Sequence, residues 1–251
     1  MNIAVLSDIH ANREALVAVL EDARHLGADS FCSLGDIIGF NGNPAACIDI
    51  VRPLLCAAVR GNHEAALLQR GLFGVPLYTT MMDRTAAMLH AEQIAWLRSL
   101  PLQTSYAGMR LVHASPGTPE TWQRIATPAE ATTALSTCTE AICFFGHTHR
   151  PAVFCTKAGY CTALPICYDA EGTCTIPLEE GVRYLINPGS VGQPRDMEWK
   201  AAYALINTET QHLLLRRVAY DVHAAAAKIE RTGLPPTFAE ALLRGASPTG
   251  D

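Results

Sequence analysis

The sequence predicts an α/β fold in which two β-sheets lie face to face with helices outside. Three observations lead there. In the first half of the chain, apolar strand-like runs alternate with segments of helical period, the rhythm of α/β construction. From Val153 to Leu215 the pattern turns strand-rich and supplies a second run of strands. Five apolar runs also end in Asp, His or Asn, at the C-terminal strand edge where α/β sheets bind ligands.

Residues 2–6 form the first strand and emit Asp8 and His10. Asn12 then stands as N-cap of a helix over about 13–26, with Leu16, Val19, Leu20 and Ala23 on its buried face and Gly27 ending it. Ser30 to Leu34 is the next strand. A glycine-containing loop, Gly39 to Asn43, leads to a helix that Pro44 starts. After the strand-like run Ala57 to Val59, residues 65–80 carry no clear period, and the spacing of Met82, Ala86, Leu89, Ile94 and Leu97 predicts one helix over 82–98. Residues 102–106 and 109–113 read as a hairpin turning at Ala107-Gly108. Two prolines and a glycine make Ala114 to Glu120 a loop, and Thr127-Pro128-x-Glu130 opens a helix with a capping box. Further strands are expected over about 152–156, 173–177, 182–187, 200–206 and 211–218. Helices over 221–231 and 237–244 follow, with a frayed end.

At 251 residues without a Ser/Gly/Pro-rich linker, the chain reads as one domain, 1–251, with 221–245 a helical tail packed on it. A net charge of -5 without a long basic run argues against a nucleic-acid surface. No apolar run approaches the about 18 residues of a membrane span, and Asp8 arrives too early for a signal peptide, so a cytoplasmic protein is expected. The nine cysteines lack a tight Cys-x-x-Cys pair and read as buried reduced thiols; a zinc or disulfide among Cys155, Cys161, Cys167 and Cys174 is the alternative. Oligomeric state is left open.

The polar strand ends carry the chemistry. Phe144-Phe145-Gly146-His147-Thr148-His149-Arg150-Pro151 presents two histidines where an apolar run meets a loop, and imidazole is among the commonest first-row metal ligands. Partners follow other runs: Asp8-Ile9-His10, Gly35-Asp36, Gly61-Asn62-His63-Glu64 and His113. These five blocks, in this order, resemble the calcineurin-like metallophosphoesterases, and Asn187-Pro188-Gly189-Ser190-Val191-Gly192-Gln193-Pro194-Arg195 is similar to a segment of the compact bacterial branch.

The resemblance implies the metallo-dependent phosphatase fold, a four-layer αββα sandwich of two mixed sheets flanked by helices. It implies two divalent or mixed-valence metal ions, one on Asp8, His10, Asp36 and His149, the other on Asp36, Asn62, His113 and His147. Asp36 is then the bridge, offering one carboxylate oxygen to each ion. The mixed His/Asp donor set disfavours calcium and magnesium; manganese is expected for activity, with iron, zinc, nickel or cobalt as alternatives. A metal-bridging hydroxide would attack phosphorus in line, with His63 outside the ligand set donating toward substrate oxygens. The family's commoner residue at Glu64 is aspartate, and the longer carboxylate is expected to orient His63 or cap the helix behind it. Asn12, Arg150 and Arg195 are candidate substrate contacts, although on local grounds Asn12 reads first as a helix cap.

The expected reaction is hydrolysis of a small-molecule phosphate ester or phosphoprotein, with phosphodiesters slightly preferred. Phosphomonoesterase, protein phosphatase and dinucleoside polyphosphate hydrolase are alternatives within the class. A nuclease, or a catalytically weak metal-bound interaction module, lies outside it; the complete motif set argues against the module.

Overall fold

A computed structural model describes residues 1–157 and 159–248. The first half alternates strands and helices: β1 (Asn2–Leu6), α1 (Arg13–His25), β2 (Ser30–Ser33), α2 (Pro44–Val51), β3 (Leu55–Ala58), α3 (Asn62–Leu68), α4 (Pro76–Ala87) and α5 (Ala91–Ser99). The hairpin β4 (Gln103–Tyr106) and β5 (Met109–Val112) precedes α6 (Pro128–Ser136) and β6 (Ile142–Phe144). Strands β7 (Ala152–Lys157), β8 (Tyr160–Ala163), β9 (Thr173–Pro177), β10 (Tyr184–Asn187), β11 (Ala201–Asn207) and β12 (His212–Val218) follow. The helices α7 (Val222–Arg231) and α8 (Pro236–Arg244) come last.

The strands form two six-stranded sheets, ordered β3-β2-β1-β11-β12-β9 and β4-β5-β6-β10-β7-β8. Both are mixed: β1, β2 and β3 run parallel, as do β5, β6 and β10, while β11 and β7 join antiparallel. Because successive strand side chains point to opposite faces, each sheet feeds two cores. Ile3 and Val5 meet Leu111, Phe144 and Ile186 between the sheets. Ala4 and Leu6 turn the other way, onto Leu16, Val19 and Ile48 of α1 and α2. In the second sheet Cys143 and Leu185 face Ala131, Ala134 and Leu135 of α6. These alternating faces make the four αββα layers. A fourth cluster joins α7 and α8 to Phe40, Ala66 and Met81.

Local chemistry explains the boundaries. Asn12 caps α1 by accepting the Ala15 N–H at 3.1 Å. Thr127 and Glu130 exchange the bonds of a capping box at the start of α6. The β4–β5 turn uses left-handed Ala107 (φ 48°) and Gly108 (φ 76°), the hand that matches strand twist. Three expectations need correction. The single helix over 82–98 is two helices, because the His90 N–H is taken by the Gln93 side chain, a new N-terminus without a glycine or proline to announce it. The segment 65–80 is partly helical at both ends, in α3 and α4. The edge strand β8 was not expected, since its residues are mostly exposed and form no apolar run. The expected frayed end, 249–251, lies outside the described residues.

None of the nine cysteines is in a disulfide; Cys32, Cys47, Cys138, Cys143, Cys161 and Cys174 are buried, whereas Cys56 and Cys167 are exposed. Among the described residues, the metal-competent groups of Cys, His, Asp and Glu include no cysteine. No helix among them is long and apolar enough to cross a membrane.

Candidate metal centre

The parallel strands of both sheets end at one edge. There β1 delivers Asp8 and His10, β2 Asp36, β3 Asn62 and His63, β5 His113, and β6 His147 and His149. Turning these side chains inward requires unusual backbone: Asp8, His10, Asp36, His147 and His149 all stand at φ between 48° and 66°. Non-glycine residues seldom adopt this left-handed region, and such strain concentrates at functional sites.

Ligand atoms of Asp8, His10, Asp36 and His149 lie within 4.8 Å of one another, all buried. His10 Nδ1 faces the Ile38 carbonyl at 3.1 Å, His113 Nδ1 the Leu34 carbonyl at 2.8 Å, and His149 Nδ1 the Gln193 carbonyl at 2.5 Å. A carbonyl only accepts, so each Nδ1 carries a proton and each ring turns its Nε2 to the centre. Two of those nitrogens oppose each other, with His10 Nε2 and His149 Nε2 3.1 Å apart. His113 Nε2 likewise faces the Asn62 Oδ1 at 2.9 Å and Asp36 Oδ2 at 3.3 Å. Asn62 has its amide nitrogen committed to the Tyr78 hydroxyl at 2.9 Å, which turns the oxygen inward. A cation between His10 Nε2 and His149 Nε2 satisfies both, so the set of Asp8, His10, Asp36 and His149 fits a metal, and the inward-turned His113 Nε2 and Asn62 Oδ1 extend the donor set on the other side of Asp36.

Asp36 joins the two sides. Its Oδ2 lies 3.6 Å from His10 Nε2 and 3.3 Å from His113 Nε2, while Oδ1 accepts the His63 N–H at 2.8 Å. The expectation of one carboxylate oxygen per ion therefore changes: a single oxygen faces both sides. Burial opposes ionisation of Asp36, but His113 and His63 outweigh it and hold the carboxyl well below its usual range. Burial also works against Asp8, where His149 and His10 prevail. Burial disfavours protonation of His113, yet Asp36 raises it to about 9; a proton there occupies the position that suits a metal. Burial, reinforced by His113, lowers His147 to about 4.

A model of the "Calcineurin-like phosphoesterase superfamily domain" matches residues 1–211. The chain belongs to the calcineurin-like phosphoesterase superfamily. It is 35% identical to an uncharacterized protein of Methanocaldococcus jannaschii over 249 residues, 97% of this chain and 98% of that one. A crystal structure of a metallophosphoesterase from Sphaerobacter thermophilus superposes with a TM-score of 0.87 at 34% identity, covering 98% of this chain and 99% of that chain. A hypothetical protein from Pyrococcus horikoshii OT3 shares the fold, with a TM-score of 0.74 at 21% identity and the same coverage.

In this calcineurin-like phosphoesterase, loops behind the strand ends brace the centre. Glu64 is fully buried and accepts the N–H groups of Gly61, Asp36 and Ile37 at 2.8 Å and of Ile38 at 3.3 Å. It thus ties the Asp36 loop to the first turn of α3, where it also completes the cap; no bond to the His63 ring is among these. Asn187 donates to the Gly146 carbonyl at 2.8 Å and Thr148 Oγ1 at 2.9 Å, and the Ser190 hydroxyl donates to the Asp8 carbonyl at 2.8 Å. The Asn187–Arg195 loop therefore supports both the Asp8 and the His147/His149 turns.

His63 is 3% exposed, with Nε2 3.9 Å from Asp36 Oδ2 and its ring between His10, Phe40 and Tyr78 at 4.5–4.8 Å. Nδ1 faces Gly39 (φ 89°), where any Cβ would overlap it. Burial keeps the ring neutral by pushing its pKa well down.

Substrate candidates fare differently. Arg195 lines the cavity over the centre and lies 5.5 Å from the Phe40 ring. Arg150 is exposed, donates Nε to the Arg195 carbonyl at 2.9 Å, and is not among the cavity-lining residues. Asn12 has no accessible surface; its amide caps α1 and donates to the Gly192 carbonyl and the Tyr220 hydroxyl. Neither lines the cavity over the centre. Sequence reasoning missed Tyr78, Arg124 and the apolar wall of Phe40, Leu77, Met81 and Phe238. Phe238 belongs to α8, beyond the family-matched residues. Nothing in the sequence distinguishes these wall residues from ordinary core.

Proposed function

We propose that the protein hydrolyses phosphate esters with the help of two divalent cations, phosphodiesters being the preferred class. The observation that carries this reading is the opposition of His10 Nε2 and His149 Nε2, with Asp36 Oδ2 between them and His113. When bound, the cations supply Lewis-acid charge that activates water and neutralises phosphoryl oxygens. Asp8, His10, Asp36 and His149 would hold one, and Asp36, Asn62, His113 and His147 the other.

His63 would donate a hydrogen bond from Nε2 to a substrate oxygen beside Asp36, which suits a neutral, buried imidazole. Arg195 would offer its guanidinium to the remaining phosphoryl charge from the cavity wall. A diester carries one charge and two organic substituents, and the wall of Phe40, Leu77, Met81 and Phe238 favours such a group over a second phosphoryl charge. The 34% identical Sphaerobacter thermophilus structure, described as a metallophosphoesterase, supports the reaction class. With this reading go manganese as the working ion, a cytoplasmic setting, and one domain over residues 1–251 with 221–245 as its helical tail.

A substrate panel with manganese tests it. Bis-p-nitrophenyl phosphate should turn over faster than p-nitrophenyl phosphate, and Asp36→Asn should lower both by about a thousandfold or more. Equal turnover in the variant would contradict the assignment of the centre, and faster monoester cleavage would contradict the diester preference.

A further inference from the structure

A cleft of about 510 Å³ opens off the metal centre on the side of Asn62 and His147. It shares those two residues, Val75 and Tyr78 with a smaller cavity of about 160 Å³ directly over the centre, and adds Phe73, Thr121 and Trp122. No Lys, Arg, Asp or Glu lines it. Its apolar surface is not consumed by packing: Phe73 is 38% and Val75 52% exposed, and Trp122 is half-buried. In the smaller cavity, by contrast, Phe40, Met81 and Phe238 are at most 5% exposed and pack on one another.

The aromatic groups are also tied to the proposed ligands. The Trp122 ring lies 6.0 Å from that of His113. Trp122 follows the short 3-10 turn Pro119–Thr121 in a left-handed conformation (φ 55°, ψ 33°), uncommon for a bulky residue. Phe73 meets the Tyr78 ring edge-on, 5.5 Å between centroids at 86°, and the Tyr78 hydroxyl accepts from the Asn62 amide.

We propose that this cleft is the subsite for a planar aromatic substituent on phosphorus, and that Trp122 is the residue that selects it. A flat neutral ring covers exposed aromatic surface and expels its water. A charged substituent would lose hydration in a cleft without a compensating charge. The inference rests on the phosphoester reading for its placement of phosphorus at the metal centre.

Phenylphosphonate and methylphosphonate test it, since their phosphorus–carbon bonds resist hydrolysis and binding is read alone. Titrated calorimetrically into the manganese-loaded full chain, phenylphosphonate should bind about tenfold more tightly than methylphosphonate. Trp122→Ala should bring the ratio close to one, and Trp122→Phe should keep most of it and control for loss of fold. No preference in the wild type, an unchanged ratio in Trp122→Ala, or loss of the ratio in Phe238→Leu instead would overturn the proposal. A Trp122-dependent preference in a protein that cleaves no phosphate ester would strike the hydrolase reading and leave the aromatic subsite standing.

Discussion

The floor of the cavity holds polar side chains at strand ends, many on left-handed backbone, while its wall holds apolar side chains from α4, α8 and the loop around Phe40. On the floor, buried groups depend on fixed partners: Glu64 on four N–H groups, the Nδ1 of His10, His113 and His149 each on a carbonyl, and Asp36 on the His63 N–H. The wall depends on shape and area alone. Changes to the floor should therefore act on metal or turnover, and changes to the wall on substrate affinity.

His63→Ala gives the largest separation within the floor itself. The bond to Asp36 Oδ1 comes from the main chain of residue 63 and survives the substitution. Manganese content should stay at the wild-type level while kcat falls about 10²–10³-fold. A parallel loss of manganese would make His63 part of what holds the ions. Phe238→Leu probes the wall: KM for bis-p-nitrophenyl phosphate should rise a few-fold, with kcat and metal content unchanged. A fall in kcat without a change in KM would mean that α8 acts on the floor.

The smallest effect lies outside both regions. Asp22 accepts from Arg216 at 2.8 Å and from the Tyr203 hydroxyl at 2.7 Å, joining α1 to β11 and β12. Burial raises its pKa, but Arg216 and Tyr203 prevail and lower it below 3.8. The folded state thus gains stability from the carboxylate above the unfolded pKa and loses it as pH falls through the folded one. Because the pair is partly solvated, about 1 kcal/mol or less is expected. Asp22→Asn should melt about 2–4 °C lower at pH 7, with the gap to wild type narrowing as the pH falls below 3.8 and turnover unchanged. A constant gap across that range would remove the ionic explanation.

The floor was legible because Asp, His and Asn directly after apolar runs need a reason to be there, and five such blocks share one. The alternating faces of β1 and β6 likewise follow from a period of two. The wall was not legible. Phe40, Met81 and Phe238 are apolar residues on helices or beside them, and only tertiary packing decides that one of their sides meets a cavity. Arg150 and Asn12 lie beside motifs yet make other bonds, Arg150 to the Arg195 carbonyl and Asn12 as the cap of α1, and adjacency in sequence does not by itself aim a side chain at the centre. Glu64 was recognisable as a cap, but its hold on the Asp36 loop spans 28 positions and leaves no local pattern. The break at His90 was hidden because a glutamine side chain, rather than a glycine or proline, makes it.

The central claim is that Asp36 is shared between two cations. Manganese-loaded crystals, with anomalous maps recorded at the manganese edge, test it directly. Two peaks about 3.5–4 Å apart are expected, both in contact with Asp36, one beside His10 and His149 and the other beside His113 and Asn62. A single peak, or two peaks of which one does not touch Asp36, would contradict it.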